Sequence, residues 1–253
     1  MNHETILISG ATSGIGEACA RLFARAGRKL ILTGRRADRL EIIAKELSKA
    51  GAEVYTAVFD IRNRPEVEAF ANEIPEAFRS IRVLVNNAGL AAGMEPLQDG
   101  NPDDWDRMID TNVKGLLYLS HAIIPLMKNV EGAQIVNVGS VAGKEVYPSG
   151  NVYSGSKHAV DAITRSMRID LLPLGIRVST VSPGLVETEF SLVRFHGDDE
   201  RAKKVYQGID PLTGADIAEL VRYIIEAPFR ITIADIVVMP DRQGSSRDVR
   251  RAS

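Results

Sequence analysis

Short apolar runs alternate with longer amphipathic stretches along almost the whole chain. Most of the runs are continuously apolar instead of alternating with polar residues, which is typical of strands covered on both faces of a sheet. We interpret seven runs as strands: TILISG, KLILTG, EVYTAVFD, IRVLVNNAG, AQIVNVGS, IRVSTVSPG and ADIVVMP. Because helical patterns separate them, the order predicts βαβ units and a parallel sheet.

The stretches between these runs carry apolar residues at helical spacing. One of them, DRLEIIAKELSKAG, places Leu40, Ile43 and Leu47 on one face. We therefore expect an α/β fold: a single Rossmann-type doubly wound domain over residues 1–253, with a seven-stranded, mostly parallel sheet and helices on both faces. The polar segment at about 187–211 is expected to be an insertion that covers the substrate, since ligands of such sheets bind beyond the carboxyl ends of the strands.

Composition and charge exclude several classes of protein. The chain has 253 residues, is 45% hydrophobic and 25% charged, and carries a formal net charge of −2, which gives no reason to expect a nucleic-acid partner. A basic tail at 241–253 is interpreted as a solvated end or a subunit contact. The start of the chain has no secretory pattern, and no run approaches the ~20 apolar residues of a membrane helix. With Cys19 as the single cysteine, predicted to be a core residue, we expect a cytoplasmic protein without disulfides, membrane contacts or a metal site.

The first predicted strand runs into SGATSGIGEACARLF, a glycine-rich turn that opens a helix. Its G-x-x-x-G-x-G spacing lets the backbone approach a pyrophosphate at the amino end of the helix. A tight turn without a ligand is the alternative, but the position between a strand and a helix favours a nucleotide site. The candidate cofactor-binding residues of the turn are Gly10, Ser13, Gly14, Ile15 and Gly16.

The second and third predicted strands end in residues that discriminate between dinucleotides. An acidic residue after the second strand would bind the ribose hydroxyls of NAD, whereas this chain has Arg35 and Arg36 there. Guanidinium groups grip a 2′-phosphate bidentately, so the sequence favours NADP, with two solvated arginines as the alternative. Asp60 ends the third strand, where its carboxylate is a candidate partner for the adenine amino group.

Further motifs stand at the ends of the later strands. NNAG (86–89) follows the fourth strand, Ser140 the fifth and SPG (182–184) the sixth, while YSGSK (153–157) starts a helix thirteen residues after Ser140. Together with GATSGIG, these motifs make the chain resemble the short-chain dehydrogenase/reductase family over nearly its whole length. The resemblance implies an enzyme that moves a hydride between NADP and an alcohol or carbonyl.

The resemblance also implies a role for each matching residue. Tyr153 would be the general acid/base, Lys157 would lower its pKa and hold the nicotinamide ribose, Ser140 would hydrogen-bond the substrate oxygen, and Asn112 would hold a water that links Lys157 to solvent. Tyr153 and Lys157 would contact the cofactor as well. The other residues assigned to the cofactor are Asn86, Asn87, Ala88, Gly89, Pro183, Gly184, Val186 and Thr188.

The spacing of YSGSK agrees with such a role for its two ends. A phenol with an ordinary pKa of about 10 is a poor base near neutrality. On a helix, Tyr153 and Lys157 at positions i and i+4 share one face, where an ammonium favours the phenolate. A pKa nearer the working pH transfers protons more effectively.

Three stretches resemble a narrower subgroup, the NADP-dependent 3-hydroxy acid dehydrogenases that act on serine and allo-threonine: NNAGLAAGMEP, SGNVYSGSK and VRFHGDDERAKKVYQ. This implies oxidation of the 3-hydroxyl of small 3-hydroxy acids such as serine, allo-threonine or 3-hydroxypropionate, reduction of the matching semialdehydes, and a homotetramer. Arg194 is the candidate for binding the substrate carboxylate, unless it is solvated or paired with Asp198 or Asp199, and Glu95 is a candidate for an amino group. Ser149 departs from the subgroup, which often has glycine there.

Two other functions stay open. A reductase of other carbonyls, such as 3-oxoacyl, sugar or xenobiotic substrates, would have the same fold and catalytic residues, because specificity lies in loops. A non-catalytic NADP sensor would be expected to lose Tyr153, Lys157 or Ser140, and all three are present.

Overall fold

A seven-stranded parallel sheet runs through the centre of the molecule. The computed structural model describes residues 4–252. The strands are β1 (Thr5–Ser9), β2 (Lys29–Gly34), β3 (Val54–Val58), β4 (Ile81–Asn86), β5 (Gln134–Val138), β6 (Arg177–Pro183), β7 (Val186–Glu187), β8 (Leu212–Thr213) and β9 (Asp235–Val238). The sheet order is β3-β2-β1-β4-β5-β6-β9, all pairs parallel, and the short β7 and β8 pair with each other.

The helices lie between the strands, as the alternation predicts. They are α1 (Gly14–Arg25), α2 (Ala37–Lys49), α3 (Arg64–Glu73), α4 (Pro102–Ile109), α5 (Leu116–Met127), α6 (Asn151–Asp170), α7 (Phe190–Arg194), α8 (Asp199–Tyr206) and α9 (Gly214–Glu226). The stretch NPDDWDRMIDTNVKGLLYLSHAIIPLM (101–127), whose spacing predicts one long helix, is not one regular helix. A π-helical turn, Asp110–Gly115, separates α4 from α5, and such turns are frequent at functional sites.

Both faces of the sheet are covered, because successive side chains of a strand point to opposite faces. In β1, Ile6 and Ile8 pack with Cys19 and Phe23 of α1, whereas Leu7 between them packs on the other face with residues of α3, α5 and α6. Cys19 is fully buried, as the pattern predicted, and burial raises the pKa of its thiol to about 12.

The strand order places a crevice at one edge of the sheet. From β1 the chain builds outward through β2 and β3, and then crosses back to place β4 on the other side of β1. The helices that follow β1 and β4 therefore lie on opposite faces of the sheet. Ligands of doubly wound sheets bind at this switch point. Within residues 4–252, no helix has the length and apolar character needed to cross a membrane.

The basic tail folds back on its own chain. Gln243 pairs with Val249 in an antiparallel bridge, and its Oε1 accepts a hydrogen bond of 2.8 Å from the Leu185 amide. Near the end, the Ala252 amide donates to the Gly208 carbonyl oxygen at 2.7 Å. The tail therefore braces the loop after β6 and the end of α8, while Arg247, Arg250 and Arg251 stay exposed.

Candidate active site

A cleft of about 440 Å³ lies over the carboxyl ends of the strands at this switch point. Its volume is typical of cofactor and substrate sites. Most of the residues named from the sequence line it: Gly10, Ser13, Gly14, Ile15, Arg35, Arg36, Asp60, Asn87, Ala88, Gly89, Ser140, Tyr153, Lys157, Pro183, Gly184, Val186 and Thr188. Five others stand behind or beside the lining: Gly16, Asn86, Asn112, Glu95 and Arg194.

The glycine turn is closely packed against the loop after β4. Gly10 and Gly14 have φ angles of +67° and +55°, in the left-handed region that favours glycine. A Cβ on Gly10 would lie 2.9 Å from the Ala88 Cα, and one on Gly16 would lie 2.4 Å from the Gly10 carbonyl oxygen. Asn87 Nδ2 donates to that same oxygen at 3.1 Å. Gly16 thus supports the turn from below instead of lining the cleft.

The amino end of α1 is open toward the cleft. Ser13 stands at the N-cap position, but its side chain makes no capping hydrogen bond to the first amides of the helix. The first amides of a helix carry partial positive charge and have no partner within the helix. A pyrophosphate is the kind of group that such amides bind, so the turn fits a dinucleotide.

Arg36 is held at the far wall of the cleft by three side chains. Its Nη2 donates to Thr12 Oγ1 and Ser13 Oγ, both at 2.9 Å, and its Nη1 donates to Glu189 Oε2 at 2.7 Å. Arg39 Nη2 lies 3.6 Å from the other oxygen of Glu189. Burial alone would raise the pKa of Glu189, but these arginines and Ser13 hold it below its usual range.

Arg35 and Asp60 form the adjoining part of this wall. Arg35 Nη1 is 3.8 Å from Asp60 Oδ2, whereas Arg62 Nη2 donates to that oxygen at 2.6 Å. The hydrogen bond with Arg62 holds the pKa of Asp60 below its usual range. The carboxylate is therefore ionised and oriented by Arg62. Its contact with an adenine amino group stays a prediction.

Tyr153, Lys157 and Ser140 meet at the middle of the cleft. The helix α6 begins at Asn151, so Tyr153 lies in its first turn, and Tyr153 and Lys157 face inward with 8% and 7% exposure. Lys157 Nζ donates to the Val138 carbonyl oxygen at 2.9 Å. Ser140 follows β5 and its Oγ accepts a 3.1 Å hydrogen bond from the backbone two residues later, which fixes the hydroxyl.

The charge balance around Tyr153 differs from the expectation. Burial raises the pKa of Tyr153 to about 12, and the Arg194 guanidinium and the Ser140 hydroxyl oppose that rise. Burial also lowers the pKa of Lys157 to about 8. Lys157 is not among the groups that lower the pKa of Tyr153, so the expected effect of the ammonium is not seen in this arrangement.

Two buried asparagines act behind the cleft. Asn112 Nδ2 donates to the Leu90 carbonyl oxygen at 2.8 Å and to Ser156 Oγ at 3.0 Å, and its Oδ1 accepts from the Leu90 amide at 2.8 Å. It therefore joins the loop after β4 to α6. Asn86 donates to Asn137 Oδ1 at 2.8 Å and is 3% exposed, so the expectation that its side chain lines the ribose site is wrong.

Arg194 lies beside Tyr153, at what we term the substrate end of the cleft: Tyr147, Tyr153, Phe190 and Arg194. Its guanidinium carbon is 5.0 Å from the ring centre of Tyr153 and 5.1 Å from that of Phe190, and Nη2 donates to the Tyr147 hydroxyl at 3.1 Å. Within residues 4–252 it forms no ion pair with Asp198 or any other carboxylate, because Asp198 caps α8 instead.

A small cavity next to this end is lined by Glu95, Tyr147, Ser149 and Arg194, among others. Glu95 Oε2 accepts a 2.8 Å hydrogen bond from the Met94 amide, so the carboxylate is oriented by its own loop. Ser149 has a φ of +62°, a conformation in which a non-glycine residue is strained.

Several residues of the site were missed by the sequence reasoning. Glu189, Tyr147 and Gln243 each contact a residue that is far away in the sequence, and a local pattern does not reveal such contacts. Thr12 belongs to the glycine turn and is the partner of Arg36, which the strand-end position of Arg36 could have indicated.

Comparison with known proteins agrees with this geometry. A model of the short chain dehydrogenase family matches residues 4–197. Sulfoacetaldehyde reductase 2 of Chromohalobacter salexigens is 48% identical over 244 residues, 96% of this chain and 96% of that protein. The NADP-dependent 3-hydroxy acid dehydrogenase YdfG of Escherichia coli strain K12 is 43% identical over 239 residues, 94% of this chain and 95% of that protein.

A solved structure gives the same result. The closed form of serine dehydrogenase complexed with NADP+ is 41% identical, superposes with a TM-score of 0.92, and the match covers 98% of this chain and all of that one. The predictions of fold and family are confirmed. With a family model over most of its length and relatives above 40% identity, this chain belongs to the short-chain dehydrogenase family.

Proposed function

We propose that this protein is an NADP-dependent oxidoreductase that oxidises the 3-hydroxyl of small acids and reduces the matching aldehydes. The observation that carries the proposal is the position of Arg194, whose guanidinium lies over the ring of Tyr153 and has no carboxylate partner among the described residues. A cation at this distance from the catalytic hydroxyl suits a substrate whose negative charge lies a few bonds from its reacting carbon.

The cleft fits the dinucleotide residue by residue. The glycine turn would hold the pyrophosphate, Arg35 and Arg36 the 2′-phosphate, and Asn87, Ala88 and Gly89 the adjoining ribose. Lys157, Pro183, Gly184, Val186 and Thr188 line the part of the cleft near Tyr153, where the nicotinamide would lie. When bound, the cofactor supplies or accepts the hydride.

The protein's own contribution is the proton and the orientation of the substrate. Tyr153 donates its hydroxyl proton to the substrate oxygen in the reducing direction and accepts it in the oxidising direction. Ser140, fixed by the backbone, donates a hydrogen bond to the same oxygen. Because its pKa is raised to about 12, Tyr153 is protonated near neutrality and can act as the acid in the reducing direction.

The acidic group of the substrate is either a carboxylate or a sulfonate. Arg194 Nη2 and the Tyr147 hydroxyl offer donors to either group, and the two relatives compared above are named a sulfoacetaldehyde reductase and a 3-hydroxy acid dehydrogenase. Sulfoacetaldehyde reduction is the second candidate function, because the relative of that name is 48% identical. A 3-oxoacyl or sugar reductase gains no support from an arginine at this position.

A substrate panel with both cofactors tests the proposal. We expect L-serine, L-allo-threonine or 3-hydroxypropionate to be oxidised with NADP+, and malonic semialdehyde to be reduced with NADPH. Isethionate and sulfoacetaldehyde form the sulfonate arm, and turnover confined to that arm would assign the second candidate. Faster turnover of uncharged alcohols and ketones than of either acid would refute both.

An arginine variant tests the role of the cation itself. Arg194→Met should raise KM for the acidic substrate about 10- to 100-fold and leave an uncharged alcohol almost unaffected, as expected for loss of a charge-assisted hydrogen bond. The matched control is Arg201→Met, because Arg201 also lies in the insertion and packs on an aromatic ring, 4.5 Å from that of Phe195. Equal effects on charged and uncharged substrates would contradict the role.

We also propose that the protein is a homotetramer, is located in the cytoplasm and consists of a single catalytic domain. The outer edge of β9 has no neighbouring strand among the described residues, and Val237 of that strand is 47% exposed. Such an apolar edge suits a second copy of the chain. Light scattering coupled to gel filtration measures the mass, and a monomer of 27.6 kDa would contradict the tetramer.

A further inference from the structure

A single carboxylate, Glu189, joins the arginines of the 2′-phosphate wall to the helix that carries Arg194. Its two oxygens face Arg36 Nη1 at 2.7 Å and Arg39 Nη2 at 3.6 Å. Within residues 4–252, the other side chains that hold Arg36 are Thr12 and Ser13, whose hydroxyls are neutral. The carboxylate therefore supplies the anionic partner of Arg36, and this wall is where the 2′-phosphate of NADP would bring a second anion.

Glu189 also begins the segment that shapes the substrate end. It stands directly before α7, and its carbonyl oxygen accepts a 3.0 Å hydrogen bond from the Val193 amide within that helix. The ring of Phe190, the next residue, meets the ring of Tyr153 edge-on with centres 5.6 Å apart. Arg194 at the other end of α7 covers the same tyrosine.

The segment before α7 is fitted to the glycine turn. A Cβ on Gly14 would lie 3.0 Å from Thr188 Cγ2, so Thr188 packs directly on the turn that would hold the pyrophosphate. Thr188 Oγ1 in turn accepts a 3.2 Å hydrogen bond from the Phe190 amide. A displacement of Glu189 would therefore also move Phe190 and Arg194, because both belong to the short helix α7 that begins directly after it.

We propose that Glu189 is a positioning residue that couples recognition of the 2′-phosphate to the placement of α7 at the substrate end. In the absence of a 2′-phosphate, the carboxylate of Glu189 pairs with Arg36 and Arg39 and holds α7 in place. A 2′-phosphate competes with the carboxylate for Arg36, and like-charge repulsion moves Glu189 and α7 with it. NADP is thereby distinguished from NAD at the substrate end as well as at the adenosine end. The inference rests on the proposed NADP dependence.

Two adenosine fragments of the cofactor test this role without catalysis, because 2′,5′-ADP and 5′-ADP both lack the nicotinamide. Of the two, 2′,5′-ADP alone carries the 2′-phosphate. Trp105 is the chain's one tryptophan. It packs on the same buried cluster as Phe190 and Val193 and lines the small cavity that Arg194 of α7 also lines, so its fluorescence reports the placement of α7. In the wild type, saturating 2′,5′-ADP should change the Trp105 emission and saturating 5′-ADP should not.

Glu189→Gln removes the competing charge and keeps the size of the side chain. We expect it to lower the Kd for 2′,5′-ADP about three- to fivefold, the effect of one partly exposed like charge, to leave the Kd for 5′-ADP unchanged, and to abolish the fluorescence response. Glu187→Gln is the matched control, since Glu187 is an exposed carboxylate two residues away. Calorimetry gives the affinities and also reports whether each variant binds as a folded protein.

Each result has one meaning. If Glu189→Gln binds 2′,5′-ADP more weakly, or still shows the Trp105 response, the coupling is refuted, because the carboxylate then only orients Arg36 or plays no part. If the wild type itself binds 2′,5′-ADP no more tightly than 5′-ADP, the proposed NADP dependence is refuted. The coupling is then refuted as well, because it requires recognition of the 2′-phosphate. The first result leaves the proposed function intact.

Discussion

The two ends of the cleft are built in different ways. The cofactor end, formed by the glycine turn with Arg35 and Arg36, rests on backbone that is packed at distances where a single added methyl group would clash. The substrate end is made of side chains from α6, from α7 and from the loop before α6, which meet through one hydrogen bond and ring contacts of 5.0 to 5.6 Å. A site of this kind keeps one cofactor while its substrate varies with a few side chains.

This contrast also decides what the sequence alone reveals. A glycine trio between a strand and a helix is a local signal, and so is a pair of arginines at a strand end, because neighbouring residues determine both. The Arg194–Tyr147 and Arg36–Glu189 contacts join residues 47 and 153 positions apart, and no local pattern encodes them. The substrate end was therefore predicted only through resemblance.

One further miss lies in the helix pattern. The apolar spacing around Asn112 predicts a continuous helix, since one wider π turn changes the period too little to be read from the residues. That the Lys157 ammonium lowers the pKa of Tyr153 stays a prediction, because the sequence does not report burial, and burial has the largest effect on this phenol.

Removing the hydroxyl of Tyr153, the proposed acid/base, should give the largest effect. Tyr153→Phe is expected to reduce kcat by about 10³-fold or more, because proton transfer by a positioned group contributes roughly 10²- to 10⁴-fold. NADP binding, measured by calorimetry, should be unchanged, since the cofactor end does not depend on this group. Activity within tenfold of wild type would contradict the acid/base role.

The raised pKa of Tyr153 predicts a pH dependence in the wild type. Oxidation needs the phenolate, so kcat/KM for oxidation should rise with pH through the alkaline range toward the pKa of about 12. Reduction needs the protonated phenol, which persists over the same range, so kcat/KM for reduction should stay level up to that pKa. Stopped-time assays in both directions measure this, and an oxidation rate that falls above pH 8 would contradict it.

Replacing Arg35 and Arg36 by neutral residues tests whether their charge binds the 2′-phosphate at the cofactor end. The double variant Arg35→Ser and Arg36→Ser should weaken NADP+ binding about 10- to 100-fold, because charge-assisted hydrogen bonds to the 2′-phosphate are lost. NAD+ binding should change by less than about threefold. Arg62→Ser is a control that removes a nearby cation paired with Asp60. Equal losses for both cofactors would show that the arginines hold the fold instead of the phosphate.

Adding one methyl group tests the cofactor end by packing. Gly16→Ala would place a Cβ 2.4 Å from the Gly10 carbonyl oxygen, and overpacking of this kind costs about 1–3 kcal/mol. We expect a lower Tm and weaker binding of both cofactors. Gly155→Ala is the contrast: it lies between Tyr153 and Lys157, has no atom within 4 Å of the added Cβ, and should gain up to about 1 kcal/mol of helix stability.

Removing a side chain tests the substrate end, where the smallest effect is expected. Ser149 has a φ of +62°, and a non-glycine residue in that region costs about 1 kcal/mol or more. Ser149→Gly relieves the strain but adds freedom to the unfolded chain, so the net gain in unfolding free energy should be roughly 0.5 kcal/mol. Thermal unfolding detects this as a rise in Tm of about 1–2 °C for a chain of this size.

The control for this variant keeps the Cβ and removes only the hydroxyl. Ser149→Ala retains the strained backbone and should not stabilise the protein, so a rise in Tm with alanine would assign the effect to the hydroxyl. KM for the acidic substrate should change by less than about threefold with either variant, because Arg194 and Tyr147 remain in place. A lower Tm for Ser149→Gly would show that the serine side chain stabilises its loop by more than the backbone strain costs. The two ends of the cleft would then share the close fit that we assign to the cofactor end alone.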